Sequence, residues 1–264
     1  ELLDWLAVSF IESGWDIKKL HKLILMSSTF RQSSKHQPEL LAMDPENKLL
    51  ARGPSFRMSA EMIRDNALSI SGLLVNTVGG PSVYPYQPEG LWDEISNKVW
   101  RYKYLQEPGE GLYRRSLYTI WKRSSPPPSM LIFDVPGRDV CTVQRANTST
   151  PLQALVLLND PQYLEAARVL AEKVMTNGTT GTEDQLQQAF RMATGRVPQP
   201  EEVGLLLEFY QEELDRFSID PVSARQYLAN GETAPSEKLE PIQLAAMATV
   251  VHGIINTNES YTLR

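Results

Sequence analysis

The sequence has very little cysteine and histidine. Cys141 is the single cysteine, and the three histidines, His21, His36 and His252, lie far apart in the chain. One cysteine excludes an internal disulfide and a cysteine-rich zinc or iron–sulfur site. Because no histidine lies near Cys141 in sequence, we interpret its thiol as buried and inert. The alternatives are a nucleophilic or redox thiol and a bond to a cysteine elsewhere in a longer polypeptide.

Other signatures of familiar chemistry are also missing. The sequence has no Gly-x-Ser-x-Gly elbow, no phosphate-binding or dinucleotide fingerprint, and no Cys-x-x-Cys-His. No apolar run is long enough to cross a membrane. A net charge of −6 argues against a general nucleic-acid binder. We therefore expect no metal, no nucleic acid and no membrane span in this chain.

Helical periodicity dominates both ends of the chain. Near the start, a helix ending at Ser13-Gly14 and one capped by Asp16 should form an antiparallel hairpin. A short helix is predicted at 45–51. Ser59 should cap the next helix, and the Gly-Gly-Pro run at 79–81 should end it. Thr150 should cap the first of five later helices, which are predicted at 151–158, 161–175, 183–193, 200–217 and 241–255.

The middle of the chain loses this periodicity. Prolines recur between 81 and 150, and only residues 112–122 are rich enough in β-formers to suggest a strand. We therefore predict a mainly α fold. Residues 1–264 should form a single helical domain, in which residues 81–150 are an irregular, proline- and aromatic-rich insertion with at most a short strand or hairpin.

Charged residues concentrate in the segment 134–150. Asp134, Arg138, Asp139 and Arg145 can hold a charged or hydroxyl-rich ligand, since an arginine presents a fork that matches a carboxylate or sulfate. The alternative is that these groups satisfy each other and the loop backbone. Asp134 and Asp139 are the only central carboxylate pair that suggests acid–base chemistry.

The same region is rich in aromatic and basic residues. Nine of the 22 aromatic residues lie at 84–121, and nine Lys or Arg stand against four acids at 98–145. This combination suits an anionic ligand such as an acidic or sulfated glycan. The alternative is that the rings fill a core and the cations pair with acidic helices. We assign Trp92 and Trp121 to the core and expect exposure for some of Trp100, Tyr102 and Tyr104.

The predicted ligand site joins these groups on one surface. Arg114 and Arg115 are adjacent, so in a strand only one of them can face the site, and Asp134 or Asp139 should pair with an arginine. The ligand-binding residues that we predict are Arg114, Arg115, Asp134, Arg138, Asp139, Arg145, Trp100 and Tyr102.

Several short motifs occur along the chain in the same order as in a known protein family. They lie at residues 1–7 (ELLDWLA), 13–24 (SGWDIKKLHKLI), 28–34 (STFRQSS), 79–82 (GGPS), 114–118 (RRSLY), 150–155 (TPLQAL), 158–161 (LNDP), 193–202 (ATGRVPQPEE) and 256–259 (NTNE). Together they resemble the planctomycete-type domain of unknown function 1553, or PSD domain. The family's usual opening segment is absent, so we expect this chain to be part of a larger protein.

The resemblance implies a setting rather than a reaction. Such domains occur at the end of large exported bacterial proteins, often with a c-type cytochrome module. It therefore implies a periplasmic or cell-surface location, haem on a separate module, and no cofactor in this chain. Two hypotheses stay open. The first is a non-catalytic module that binds an anionic glycan or docks other domains of its own polypeptide. The second is an enzyme acting on acidic or sulfated polysaccharide, perhaps redox-coupled.

Overall fold

The computed structural model describes residues 1–35, 37–93, 103–178 and 181–263. Of these described residues 54% are helical, which confirms the predicted mainly α class. The α-helices of the described residues are α1 (Leu2–Glu12), α2 (Ile17–Leu25), α3 (Pro38–Met43), α4 (Ala60–Ser71), α5 (Pro128–Ile132), α6 (Pro151–Asn159), α7 (Pro161–Thr176), α8 (Thr182–Thr194), α9 (Pro200–Ile219), α10 (Pro221–Leu228) and α11 (Pro241–Ile255). Two short strands, β1 (Phe56–Arg57) and β2 (Thr262–Leu263), pair with each other.

Local capping signals set the helix starts. The side chains of Asp16 and Ser59 accept hydrogen bonds from first-turn amides of α2 and α4. Thr150 forms a capping box with Gln153 at the start of α6. Each side chain satisfies an amide that has no partner within the helix. The predicted N-caps are therefore confirmed.

The end of α4 differs from the prediction. The helix stops at Ser71, because Gly72 adopts the left-handed conformation with φ of +92° and its amide donates back to Leu68 and Ser69. A glycine adopts this conformation without steric cost. The Gly-Gly-Pro run at 79–81 forms a later turn, so the prediction that it ends the helix is wrong.

The chain divides into two compact units, which we call the N-terminal unit (Glu1–Phe56 with Thr262–Arg264) and the main unit (Arg57–Tyr261). In the main unit, α11 packs against α7, α8, α9 and α10. The largest core cluster lies there and includes alanines on both α7 and α11, which let these helices approach closely. A second cluster joins α4, α5 and α6. The prediction of one domain over residues 1–264 stays a prediction.

The predicted strand at 112–122 is not formed. Gly109–Tyr113 and Ser116–Tyr118 are 3₁₀ turns, and only isolated bridges join this stretch to Val75 and Val83. The cause is a side chain, because Arg64 of α4 occupies the carbonyl oxygens of Leu112 and Arg114. A strand ladder needs those acceptors.

In the described part of the chain, no helix combines the length and the apolarity needed to span a membrane.

Candidate functional site

The two adjacent arginines have separate environments. Arg114 is buried, and its guanidinium donates to the carbonyl oxygens of Thr77 (3.1 Å), Pro81 (3.1 Å) and Gly79. It also lies 3.9 Å over the ring of Tyr118. Arg115 is exposed and donates to the side chain of Asn76. One arginine is therefore buried and one solvated, as predicted, although no strand separates them.

The carboxylate of Asp134 is held by hydrogen bonds from neighbouring residues of the fold. It accepts from Arg57 (2.7 Å), from the Thr148 amide (2.8 Å) and from the Thr148 hydroxyl (2.9 Å). Burial opposes its ionisation, but these hydrogen bonds outweigh burial and lower the pKa of Asp134. Asp134 thus pairs with an arginine, but this arginine is Arg57, which lies outside the predicted site.

The remaining charged members of the predicted site lie apart. Arg138 is exposed and stacks 4.2 Å over the Trp121 ring, Arg145 pairs with Glu61 at 2.7 Å, and Asp139 is exposed. Among the described residues, no hydrogen bond or ion pair joins two members of the predicted site. Trp100 and Tyr102 lie outside the described residues. The ligand-binding role of all eight residues stays a prediction.

The prediction for Cys141 is wrong. The thiol is exposed, as is all of residues 138–150. Its apolar neighbours Val140 and Val143 are themselves exposed, so they do not cover the sulfur.

The aromatic residues near 84–104 pack mainly on each other. Tyr84, Trp92 and Tyr104 make edge-to-face contacts with ring centroids 5.1–6.2 Å apart. Trp92 is buried, as predicted, and Tyr104 is half-buried with its hydroxyl donating to the Pro85 carbonyl. These rings form a small core rather than an open stacking surface.

A buried arginine that the sequence prediction missed organises the main unit. Arg64 lies on α4, and its guanidinium donates to the carbonyls of Leu112 (2.5 Å) and Arg114 (2.8 Å) and to the side chain of Gln162 (2.7 Å). Burial lowers the pKa of Arg64, and the nearby Asp65 carboxylate opposes that shift. One side chain thus ties α4, the 3₁₀ turns and the start of α7 together.

Gln162 connects Arg64 to an acidic residue at a cavity. Its amide nitrogen donates to Asp160 at 3.0 Å while its amide oxygen accepts from Arg64. Asp160 is the N-cap of α7 and lines a cavity of about 470 Å³ with apolar walls from α5 and α6. Burial raises the pKa of Asp160 to about 6, although the Gln162 hydrogen bonds and Arg64 favour the ionised form. A raised carboxyl pKa in a cavity is typical of functional sites.

The raised pKa predicts a specific pH dependence. Native Asp160 binds its proton more tightly than the unfolded chain does, so its contribution to stability falls as the pH rises from about 4 to about 6. Asp160→Asn keeps a capping side chain and removes the titration. Relative to the wild type, its free energy of unfolding should rise by roughly 2 kcal/mol between about pH 4 and pH 7.

Urea unfolding across this pH range tests the prediction. The neighbouring ionisable groups, Arg64 and Tyr163, are unchanged in the variant. The matched control is Asp220→Asn, at the exposed N-cap of α10 that also precedes a proline. Its difference from the wild type should vary by less than about 0.5 kcal/mol. A flat difference for Asp160→Asn would contradict the account.

A second buried charged residue, Glu165, contacts a residue that lines the same cavity. Glu165 of α7 is fully buried and accepts from the hydroxyls of Tyr86 (2.9 Å) and Tyr113 (2.8 Å) and from the Thr233 amide (2.7 Å). Gly231 has φ of +96°, and a Cβ there would lie 2.4 Å from Glu165 Cδ. Glu165 therefore anchors both Tyr86, which lines the cavity, and the loop after α10.

The helices of the N-terminal unit leave many apolar side chains exposed. No residue of α1, α2 or α3 is buried. The exposed apolar residues of α1, α2 and the turn between them, which we call the apolar surface, include Leu2, Leu3, Trp5, Ile11, Trp15, Ile17, Leu23, Ile24 and Leu25. Exposed apolar residues in such number are typical of a surface that contacts another protein.

Two signals in the sequence point to the residues that the prediction missed. The buried positions of α4 include 60, 63, 64, 67, 68 and 71, so Arg64 lies on the apolar stripe itself. Glu165 and Arg168 similarly lie within the alanine-rich run of α7. A charge at a core position needs a buried partner. Asp160 carries no such signal, because a capping aspartate before proline is common.

The fold and these networks define a mainly helical module. A family model described as "PSD1: Protein of unknown function (DUF1553)" matches residues 1–210, and the chain belongs to this family. The resemblance found in the motifs is thereby confirmed. No curated protein and no solved structure gives a match.

Proposed function

We propose that this chain is a non-catalytic module that docks other domains of its own polypeptide through the apolar surface of α1 and α2. The observation that carries the proposal is the exposure of that surface, where Leu3 is 78% exposed and Trp5 54%. Burial of each such side chain would contribute about 1.5–3 kcal/mol. Covering several of them therefore supplies enough free energy for a stable intramolecular contact.

The partner surface should be apolar with an acidic rim. The α2 helix adds Lys18, Lys19 and Lys22 beside its exposed apolar residues. Charge at the edge of an interface selects the partner and its orientation more than it adds affinity. We therefore expect the docking domain to present acidic side chains around an apolar centre.

A pair of substitutions on α2 tests the proposal. Ile24→Asn removes an exposed apolar side chain, and Lys18→Asn introduces the same residue on the charged part of the helix. We expect Ile24→Asn to weaken binding to the remaining domains, produced as a separate chain, by at least ~10-fold. Lys18→Asn should change it by less than ~3-fold.

Circular dichroism of both variants controls for helix loss, because asparagine is a poorer helix former than lysine and no better than isoleucine. Equal effects of the two substitutions on binding would contradict docking through the apolar surface.

The two hypotheses that involve polysaccharides receive less support. Arg114 and Arg145 have partners within the chain, and Asp134 is held by Arg57 and Thr148. An arginine that is already hydrogen-bonded must lose those bonds to receive a sulfate or carboxylate. Glycan binding and an enzyme on acidic polysaccharide stay alternative hypotheses.

The proposal includes the setting that the family resemblance implies. It places the chain in the periplasm or at the cell surface, with haem on a separate module and no cofactor in this chain. A fusion of the full-length polypeptide to a reporter that is active only outside the cytoplasm should give signal. Silence from a well-expressed fusion would count against this location.

A further inference from the structure

The cavity beside Asp160 has the features of a small-ligand site. Its volume of about 470 Å³ is within the usual range for such sites. Ile132, Leu152, Leu155 and Val156 form apolar walls from α5 and α6. Asp160 is the only charged residue among the described residues that line it.

The polar groups of the cavity have unused hydrogen-bonding capacity. The Asp160 carboxylate accepts two hydrogen bonds, both from Gln162, so each oxygen keeps a free lone pair. The Gln87 side chain also lines the cavity, and its amide nitrogen is buried with no partner among the described residues. A buried donor without a partner is costly. A ligand that donates to Asp160 would use the free lone pairs of the carboxylate.

We infer that this cavity binds a small apolar molecule that carries one ammonium group, with the ammonium paired to Asp160. A single negative charge in an apolar cavity attracts a cation, and the pair is stronger there than in water. Tyr86 adds an aromatic wall, because its hydroxyl is engaged by Glu165 and by the Glu232 amide. Aromatic faces also favour organic cations. This inference does not rest on the docking proposal.

The pKa of Asp160, raised to about 6 by burial, is consistent with this assignment. At neutral pH the carboxyl is still largely ionised, yet its charge is poorly solvated. A bound cation would replace the missing solvation.

Three matched probes test the inference by calorimetry at neutral pH. They are 2-phenylethylamine, which is cationic, 2-phenylethanol, which is neutral, and 3-phenylpropanoate, which is anionic. The wild type should bind the amine at least ~10-fold more tightly than the alcohol and should bind the carboxylate weakest. Asp160→Asn should bind amine and alcohol within ~2-fold of each other, whereas Asp220→Asn should keep the preference of the wild type.

A cavity-filling variant checks that binding occurs at this place. Leu155 lines the cavity and is half exposed, so Leu155→Trp can fill the space without disturbing the core. We expect it to lose binding of the amine and the alcohol alike. The inference is overturned if the wild type binds no amine, binds amine and alcohol equally, or prefers the carboxylate. It is also overturned if the amine preference survives Asp160→Asn or if binding survives Leu155→Trp.

Discussion

Arg64→Ala is expected to lower the free energy of unfolding of the main unit by about 3–5 kcal/mol, the range found when one partner of a buried charged network is removed. The substitution leaves the carbonyls of Leu112 and Arg114 and the side-chain oxygen of Gln162 without their donor. All three groups lie in the interior, where an unsatisfied polar atom is costly.

Chemical denaturation followed by circular dichroism measures this loss. The matched control is Arg191→Ala on α8, which makes the same change on an exposed helical position. Its effect should stay within about 0.5 kcal/mol. A loss below about 1 kcal/mol for Arg64→Ala would mean that the network of Arg64 does not support the fold.

Glu165→Ala is expected to cost a similar 3–5 kcal/mol, because it removes the acceptor of two tyrosine hydroxyls and one amide in the interior. It also leaves Arg168, 3.9 Å away, with one fewer acidic neighbour. The matched control is Glu208→Ala, which removes an exposed glutamate of α9. Comparing the free energies of unfolding of the two variants separates the loss of buried hydrogen bonds from the loss of a negative charge. Equal stability of the two variants would contradict the structural role of Glu165.

The features that could be predicted from sequence are those that depend on neighbouring residues. Asp16, Ser59 and Thr150 cap helices through amides two or three positions away, so their local sequence determines the contact. His252 stands beside Val250 and Val251 in an apolar stretch, which is typical of a core histidine. Its ring nitrogen lies 2.7 Å from the Leu157 carbonyl oxygen, and burial lowers its pKa. In that case the apolar surroundings in sequence were enough.

The candidate site could not be predicted in the same way, because its contacts join distant parts of the chain. Arg64 and Gln162 are 98 residues apart, and Glu165 and Thr233 are 68 apart. The strand prediction at 112–122 failed for the same reason. The β-formers there had the right local preference, but a side chain from α4 took the backbone acceptors. Tertiary contacts commonly override such preferences.

Docking should cover the apolar surface of α1 and α2 with other domains of the same polypeptide. Amide hydrogen exchange measured by mass spectrometry tests it most directly, because docking slows the opening of a helix that is otherwise solvated. Peptides from residues 2–25 should exchange at least ~10-fold more slowly in the full-length polypeptide than in this chain alone, while peptides from α11 should not change. Equal exchange of residues 2–25 in the two proteins would contradict the account.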